Sequence, residues 1–178
     1  MNEFLTTLAQ ADELHSAQDV TVALDRMAED ITAKLKDSNP LVLCVMVGGL
    51  ITAGQLLTRL SFPLQVDYVH ATRYRGDTQG GQLQWRAAPS VPMQDRVVLL
   101  IDDIFDEGWT LEAIVNSCIA AGAKEVHSAV LVEKHHNRKA EIRPTFVGLH
   151  VEDRYVFGYG MDYKEYGRNL AGIYAVKM

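Results

Sequence analysis

The chain has 178 residues, a formal net charge of -6 and a hydrophobic fraction of 48%. Those figures fit one domain with a sizeable core, and the acidic balance argues against a general nucleic-acid surface. No apolar run reaches the roughly 20 residues that span a bilayer, and the acidic, amphipathic N-terminus has no basic start or apolar signal core, so a cytoplasmic protein without membrane or nucleic-acid partners is expected.

Phe4, Leu8 and Ala11 suggest a short first helix. Val20, Ala23, Leu24, Met27, Ala28, Ile31 and Leu35 recur at helical spacing and predict a strong second helix, ended by Asn39-Pro40. Residues 41–47 (LVLCVMV) form an unbroken apolar run, as in a strand buried on both faces. Gly48-Gly49 makes a turn, and residues 50–60 then read as a helix with Leu50, Ala53, Leu57 and Leu60 inward. Residues 64–70 read as a strand in which Leu64, Val66 and Tyr68 alternate. The polar stretch 72–92 contains Gly76, Gly80, Gly81, Pro89 and Pro92. A stretch of that length in a compact domain is functional or disordered, and a short hairpin folding over a site is the preferred reading. Residues 97–101 are the central strand. Residues 109–121 are a helix with Leu111, Ile114, Val115, Cys118 and Ile119 on one face and Gly122 as its stop. Further strands are expected at 126–132, 145–151 and 155–158.

This alternation implies an α/β fold with a mainly parallel twisted sheet flanked by helices. Ligands of such sheets sit beyond the carboxyl ends of the strands, where Gly48, Asp102 and Asp103 fall. Cys44 and Cys118 lie in apolar settings and read as buried free thiols. The pair His135-His136 reads as a solvated turn. There is no GxGxxG after a strand, no P-loop and no serine or cysteine nucleophile setting.

The most informative stretch is 97–114, VVLLIDDIFDEGWTLEAI. An apolar strand ends in Asp102 and Asp103, Ile104 and Phe105 lead into a turn, and Asp106, Glu107, Gly108, Trp109 and Thr110 open a helix. The free N–H groups and positive dipole end of a helix start make a phosphate cradle. Gly108 permits a tight turn, and the Thr110 hydroxyl can donate to a phosphate oxygen. Carboxylates just before the cradle can accept from sugar hydroxyls, act on a metal through its waters, or serve as a general base. A helix cap would account for Asp106 but not for three carboxylates beside an apolar strand.

The pattern Asp-Asp-x-x-Asp-x-Gly-x-Thr after an apolar strand resembles the phosphoribosyl pyrophosphate motif of type I phosphoribosyltransferases. The chain is similar to the hypoxanthine-guanine members over nearly its whole length. MVGG (46–49) stands at their first pyrophosphate loop and RYRGDTQGG (73–81) at their mobile active-site loop. VLVEK (130–134) matches the strand ending in a purine-reading lysine, and VEDRYVFGYGMDYKEYGR (151–168) matches the C-terminal signature, the most specific of the four.

The resemblance implies the type I phosphoribosyltransferase fold with a small hood built from N- and C-terminal segments. It implies a single domain over 1–178 with 72–92 as a mobile active-site loop. The implied reaction is Mg2+-dependent transfer of the 5-phosphoribosyl group from phosphoribosyl pyrophosphate to hypoxanthine or guanine, giving IMP or GMP and pyrophosphate in purine salvage. In that register Asp102 and Asp103 hold the ribose hydroxyls near the magnesium, and Asp106 is the base at the purine 7-nitrogen. Ile104, Phe105 and the backbone of Asp106, Glu107, Gly108, Trp109 and Thr110 form the sugar-phosphate loop. Val47, Gly48 and Gly49 offer amides to pyrophosphate, and Tyr74 lies in the mobile loop. Lys134 donates to the 6-oxo group, the Tyr155 ring stacks on the purine, and the Val156 backbone reads its edge. Asp162 sits near the 2-amino group or binds a second magnesium, and Arg168 pairs with pyrophosphate. Self-association as a homodimer or homotetramer is implied as well.

The chain departs from the family pattern at three points. Glu107 replaces a threonine or serine, Trp109 a lysine, arginine or small residue, and Val47 a lysine. Binding through backbone N–H groups would tolerate all three. The altered phosphate loop motivates a second reading, a regulator of the same fold that binds nucleotide or phosphoribosyl pyrophosphate without chemistry. The pocket near Val156 and Asp162 governs the choice among hypoxanthine, guanine and xanthine, which the sequence leaves open.

Overall fold

A computed structural model describes residues 1–73 and 83–177. The chain runs α1 (Asn2–Gln10), β1 (Asp12–His15), α2 (Ala17–Leu35), β2 (Leu41–Val45), α3 (Leu50–Leu57), β3 (Gln65–Arg73), β4 (Leu83–Ala87), β5 (Val97–Phe105), α4 (Trp109–Ala120), β6 (Glu125–His135), β7 (Phe146–Glu152), β8 (Val156–Phe157) and β9 (Ile173–Ala175). Ser16 starts α2. Its hydroxyl accepts from the Asp19 amide while the Asp19 carboxylate accepts from the Ser16 amide, a capping box that satisfies two otherwise unpaired donors. The whole predicted stripe from Val20 to Leu35 is buried, and each large side chain in it contributes roughly 1.5–3 kcal/mol on leaving water.

The main sheet has the order β4-β3-β2-β5-β6-β7. All its neighbours are parallel except β4, which returns antiparallel along the β3 edge. On one face α2 and α3 close a core around Leu24, Met27, Leu56, Leu99 and Ile101. On the other face α4 closes a second core around Leu43, Val98, Leu100, Leu111 and Ile114. The stretch of β5 from Val97 to Ile101 is thus apolar at every position because both its faces are covered. A separate antiparallel sheet, β1-β9-β8, joins the two ends of the chain and forms the hood. Cys44 and Cys118 are buried free thiols, each pushed up to about 11 by burial. Among the described residues no helix is long and apolar enough to cross a membrane.

Several boundaries and phases differ from the sequence reading. β5 runs on through Asp102 to Phe105, because β6 keeps pairing with it as far as Phe105↔Glu133. Ile104 and Phe105, read as the lead into a turn, therefore belong to the strand, and Asp102 and Asp103 lie within it rather than at its end. In α3 the inward residues are Ala53 and Leu56, while Leu50 is exposed. In β3 the buried residues are Val69 and Ala71, and Val66 and Tyr68 are exposed, because α3 packs on β2 and β5. The expected hairpin is present in its stems, with Arg73 opposite Leu83. Residues 74–82, including Tyr74, lie outside the described residues.

Candidate active site

The carboxyl ends of β2 and β5, adjacent at the centre of the sheet, open into a cavity of about 900 Å³. Its wall takes Val47 and Gly48 from the turn after β2, residues 102–111 from β5 and the start of α4, and Arg168 from the C-terminal segment. Gly48 packs so tightly on β5 that a Cβ there would stand 2.2 Å from a carboxylate oxygen of Asp103. Only glycine lets this turn approach the acidic pair. Gly49 does not share in the cavity wall, and its amide is bonded to the Val45 carbonyl at 2.9 Å.

Asp103 is buried and Asp102 half-buried. Asp102 Oδ1 accepts from the Asp103 amide at 2.9 Å, and Asp103 Oδ1 accepts from the Ile104 amide at 2.8 Å. Burial pushes Asp102 well above the usual carboxylate range, and the charge of Asp103 beside it adds to that. Burial raises Asp103 as well. The charge of Arg168 lowers both but does not outweigh burial, a balance that suits a ligand bringing cation and hydroxyl donors.

After Phe105 the chain turns at Gly108 (φ +84°) into α4. A Cβ on Gly108 would meet the Phe105 ring at 2.3 Å, so conformation and space both require glycine. No side chain caps α4, which leaves its first-turn N–H groups facing the cavity side. Glu107 is exposed on the cavity wall, and its carbonyl accepts from the Ala140 amide at 2.7 Å.

Asp106 sits between two cationic-type donors. Lys134 Nζ reaches its Oδ2 at 2.7 Å, and His136 Nε2 lies 2.6 Å from its Oδ1. Burial alone would raise Asp106, but hydrogen bonds and charge from Lys134 and His136 outweigh it and hold the carboxyl below its ordinary value. Lys134 is only 9% exposed at the end of β6, a position a lysine occupies when an acceptor meets it. The Arg168 guanidinium donates to the Gly160 carbonyl at 2.5 Å and pairs with Asp162 Oδ1 at 2.6 Å. The other Asp162 oxygen accepts from the Glu165 amide. Among the described residues no three acidic, histidine or cysteine side chains form a metal-holding group, so Asp162 does not join Asp102 and Asp103 in one ligand set. The Tyr155 ring is half exposed and meets Tyr163 edge-on at 5.5 Å, while Val156 is buried in β8. These two belong to the hood and do not line the central cavity.

Three residues at the site were not expected from sequence. Arg86 and His70 line the cavity from the β3–β4 hairpin. His136, read as part of a solvated turn, has a side chain only 5% exposed and is bonded to Asp106. Its partner lies 30 residues away, so no local pattern pointed to it.

Fold and cavity together define an α/β protein whose sheet presents an acidic pair and a helix start at its carboxyl edge, a setting that suits a phosphorylated sugar. A phosphoribosyl transferase domain model matches residues 10–165. The hypoxanthine-guanine phosphoribosyltransferase of Bacillus subtilis is 30% identical over 92% of this chain and 92% of its own. The hypoxanthine-guanine-xanthine phosphoribosyltransferase of Tritrichomonas foetus is 29% identical over 92% and 90%. Among solved structures, a hypoxanthine phosphoribosyltransferase from Staphylococcus aureus matches with a TM-score of 0.88 at 26% identity, covering 93% of this chain and 91% of that one. The chain belongs to the phosphoribosyl transferase family, in its hypoxanthine-guanine branch.

Proposed function

We infer that the protein is a purine-salvage enzyme that moves the 5-phosphoribosyl group from phosphoribosyl pyrophosphate to hypoxanthine or guanine, yielding IMP or GMP and pyrophosphate. The observation that carries this is Asp106, a carboxylate held between Lys134 and His136 at the mouth of an uncapped helix and three residues beyond the acidic pair.

In this reading the backbone amides from Asp106 to Thr110, with the Thr110 hydroxyl, bind the 5-phosphate. Ile104 and Phe105 shape the floor, and Asp102 and Asp103 accept from the ribose hydroxyls. Val47 and Gly48 face the pyrophosphate, and Arg168, its fork steadied by Gly160 and Asp162, faces the same anion. The purine stacks on Tyr155, its edge runs along the Val156 backbone, and Lys134 donates to the 6-oxo group. Purine N9 bonds to the ribose C1′ as the C1′–O bond to pyrophosphate breaks with its electron pair. The N7 proton passes to Asp106, and its bonding pair stays in the ring. Positioning of the two reactants and charge stabilisation supply most of the acceleration.

The donors present fit Mg2+, which prefers oxygen and uses one or two carboxylates together with water and substrate phosphates. Asp102 and Asp103 would hold it, directly or through water, and a cation there would offset the burial that raises both carboxyls. When bound, the metal neutralises charge on the departing pyrophosphate. A homodimer or homotetramer is proposed because Val47, Leu50, Val66 and Tyr68 leave apolar side chains uncovered. A cytoplasmic location is proposed, in keeping with the acidic balance of the chain.

Turnover of radiolabelled hypoxanthine, guanine and xanthine with phosphoribosyl pyrophosphate and Mg2+ tests the assignment and ranks the bases. Formation of IMP and GMP is the expected result. Binding without product would replace the enzyme by the regulatory reading.

A further inference from the structure

The loop that follows β6 backs the candidate phosphate loop at three successive residues. Lys139 Nζ lies 5.0 Å from the centre of the Phe105 ring, His136 bonds Asp106, and the Ala140 amide bonds the Glu107 carbonyl. The loop is itself anchored, Lys139 to Glu133 at 2.5 Å and Arg138 to Asp153 at 3.0 Å. His136 is thus mounted on a braced segment, in contrast to the long flexible stem of Lys134.

The Arg138 amide donates to His136 Nδ1 at 3.1 Å, so that nitrogen is an acceptor. Nε2 then carries the proton of the contact and donates to Asp106 Oδ1 at 2.6 Å. Both ring nitrogens are used, and the side chain is almost wholly buried. The two oxygens of Asp106 are therefore held differently, Oδ2 by the ammonium at the end of the Lys134 chain and Oδ1 by a ring on a braced loop.

We propose that His136 is a positioning residue for the transfer reaction: it clamps Oδ1 of Asp106 so that, when Lys134 turns to the 6-oxo group of the purine, Oδ2 is left free and aimed at N7. The inference rests on the purine-transfer reading and adds to it a residue that keeps the base oriented at the moment its other partner departs. Among the described residues, the groups that reach the Asp106 carboxylate are Lys134 from β6 and His136 from the loop after it. Since both lower Asp106, removing one moves that carboxyl up.

The test compares His136→Ala and His136→Gln with the full-length wild type. The Gln amide can restore a donor near the Nε2 position, whereas Ala restores none. Expected for His136→Ala are a kcat roughly tenfold lower, a KM for phosphoribosyl pyrophosphate within about twofold of wild type, and an acid limb of the pH–rate profile displaced to higher pH. Expected for His136→Gln is recovery of most of the kcat and of the limb. An unchanged kcat and profile in His136→Ala would overturn the proposal, as would a His136→Gln variant as slow as the alanine one while equally stable to heat. ¹⁵N spectra of the His136 ring give a readout independent of turnover. A protonated Nε2 whose signal shifts in Asp106→Asn supports the clamp, and a protonated Nδ1 refutes it. A wild type that makes no nucleotide sinks the parent reading, whereas active wild type with an unaffected His136→Ala sinks this one alone.

Discussion

One glycine couples the stability of the molecule to its proposed phosphate cradle, and a second glycine supplies the control. Gly108 has φ +84° at the start of α4, and an added Cβ would lie 2.3 Å and 2.6 Å from two carbons of the Phe105 ring. An alanine there bears about 1–2 kcal/mol of left-handed strain. Phe105 is fully buried and cannot yield freely, so overpacking adds about 1–3 kcal/mol. The sum, roughly 2–5 kcal/mol, corresponds to a fall in Tm of roughly 5–15 °C for a chain of this size. Relief of the clash moves the first turn of α4, so the KM for phosphoribosyl pyrophosphate rises roughly tenfold, the loss of about one charge-assisted hydrogen bond. Gly54 is helical in α3, and a Cβ there meets nothing within 4 Å. Gly54→Ala is expected to raise stability by about 0.5–1 kcal/mol and leave KM unchanged. Calorimetry and initial-rate assays on both variants read the two effects. A Gly108→Ala protein as stable as wild type with an unaltered KM would refute the reasoning for both the turn and the cradle.

Asp106→Asn is expected to lower kcat by about 10²–10⁴-fold with little change in binding of phosphoribosyl pyrophosphate, measured by initial rates and by calorimetric titration. Because Asp106 is held below its ordinary value of 3.8 in the folded chain, its stabilising contribution is complete above that value and is lost as pH falls through the lower folded one. The Tm deficit of Asp106→Asn should accordingly be steady near neutrality and close in strong acid. Glu107→Thr removes an exposed carboxylate from the cavity wall, and should lower the KM for phosphoribosyl pyrophosphate roughly threefold at low salt, with the gap narrowing at high salt as screening grows. Chelation of divalent cations should stop turnover and added Mg2+ restore it. Asp102→Asn should then need more Mg2+ for half-maximal rate, whereas an unchanged requirement would remove Asp102 from the metal's surroundings.

The parts of the molecule legible in sequence were those whose physics is local. The α2 stripe was readable because nearly all its large apolar residues recur on one face, with Val22 the exposed exception, and the 97–114 segment because three carboxylates beside a buried strand have few structural uses. The phase of α3 was not, since LITAGQLL is apolar on several faces and the sheet alone decides which is covered. Nor was the edge of β3, where alternation is present but the face chosen depends on how far α3 reaches. β1 and β9 were invisible because each is short and pairs with a segment about 160 residues away, as in Glu13↔Tyr174. The extension of β5 came from its β6 partner, and the burial of His136 came from a carboxylate on another strand's end. Long-range pairing, not propensity, set each of these.

The most direct test of the central claim is the crystal structure of the full chain with GMP and Mg2+. The expected density has the 5-phosphate on the amides of Asp106 to Thr110, the ribose hydroxyls on Asp102 and Asp103, and purine N7 facing Asp106 with Lys134 on the 6-oxo group. Nucleotide bound elsewhere, or a 5-phosphate excluded from that helix start by Glu107, would contradict it.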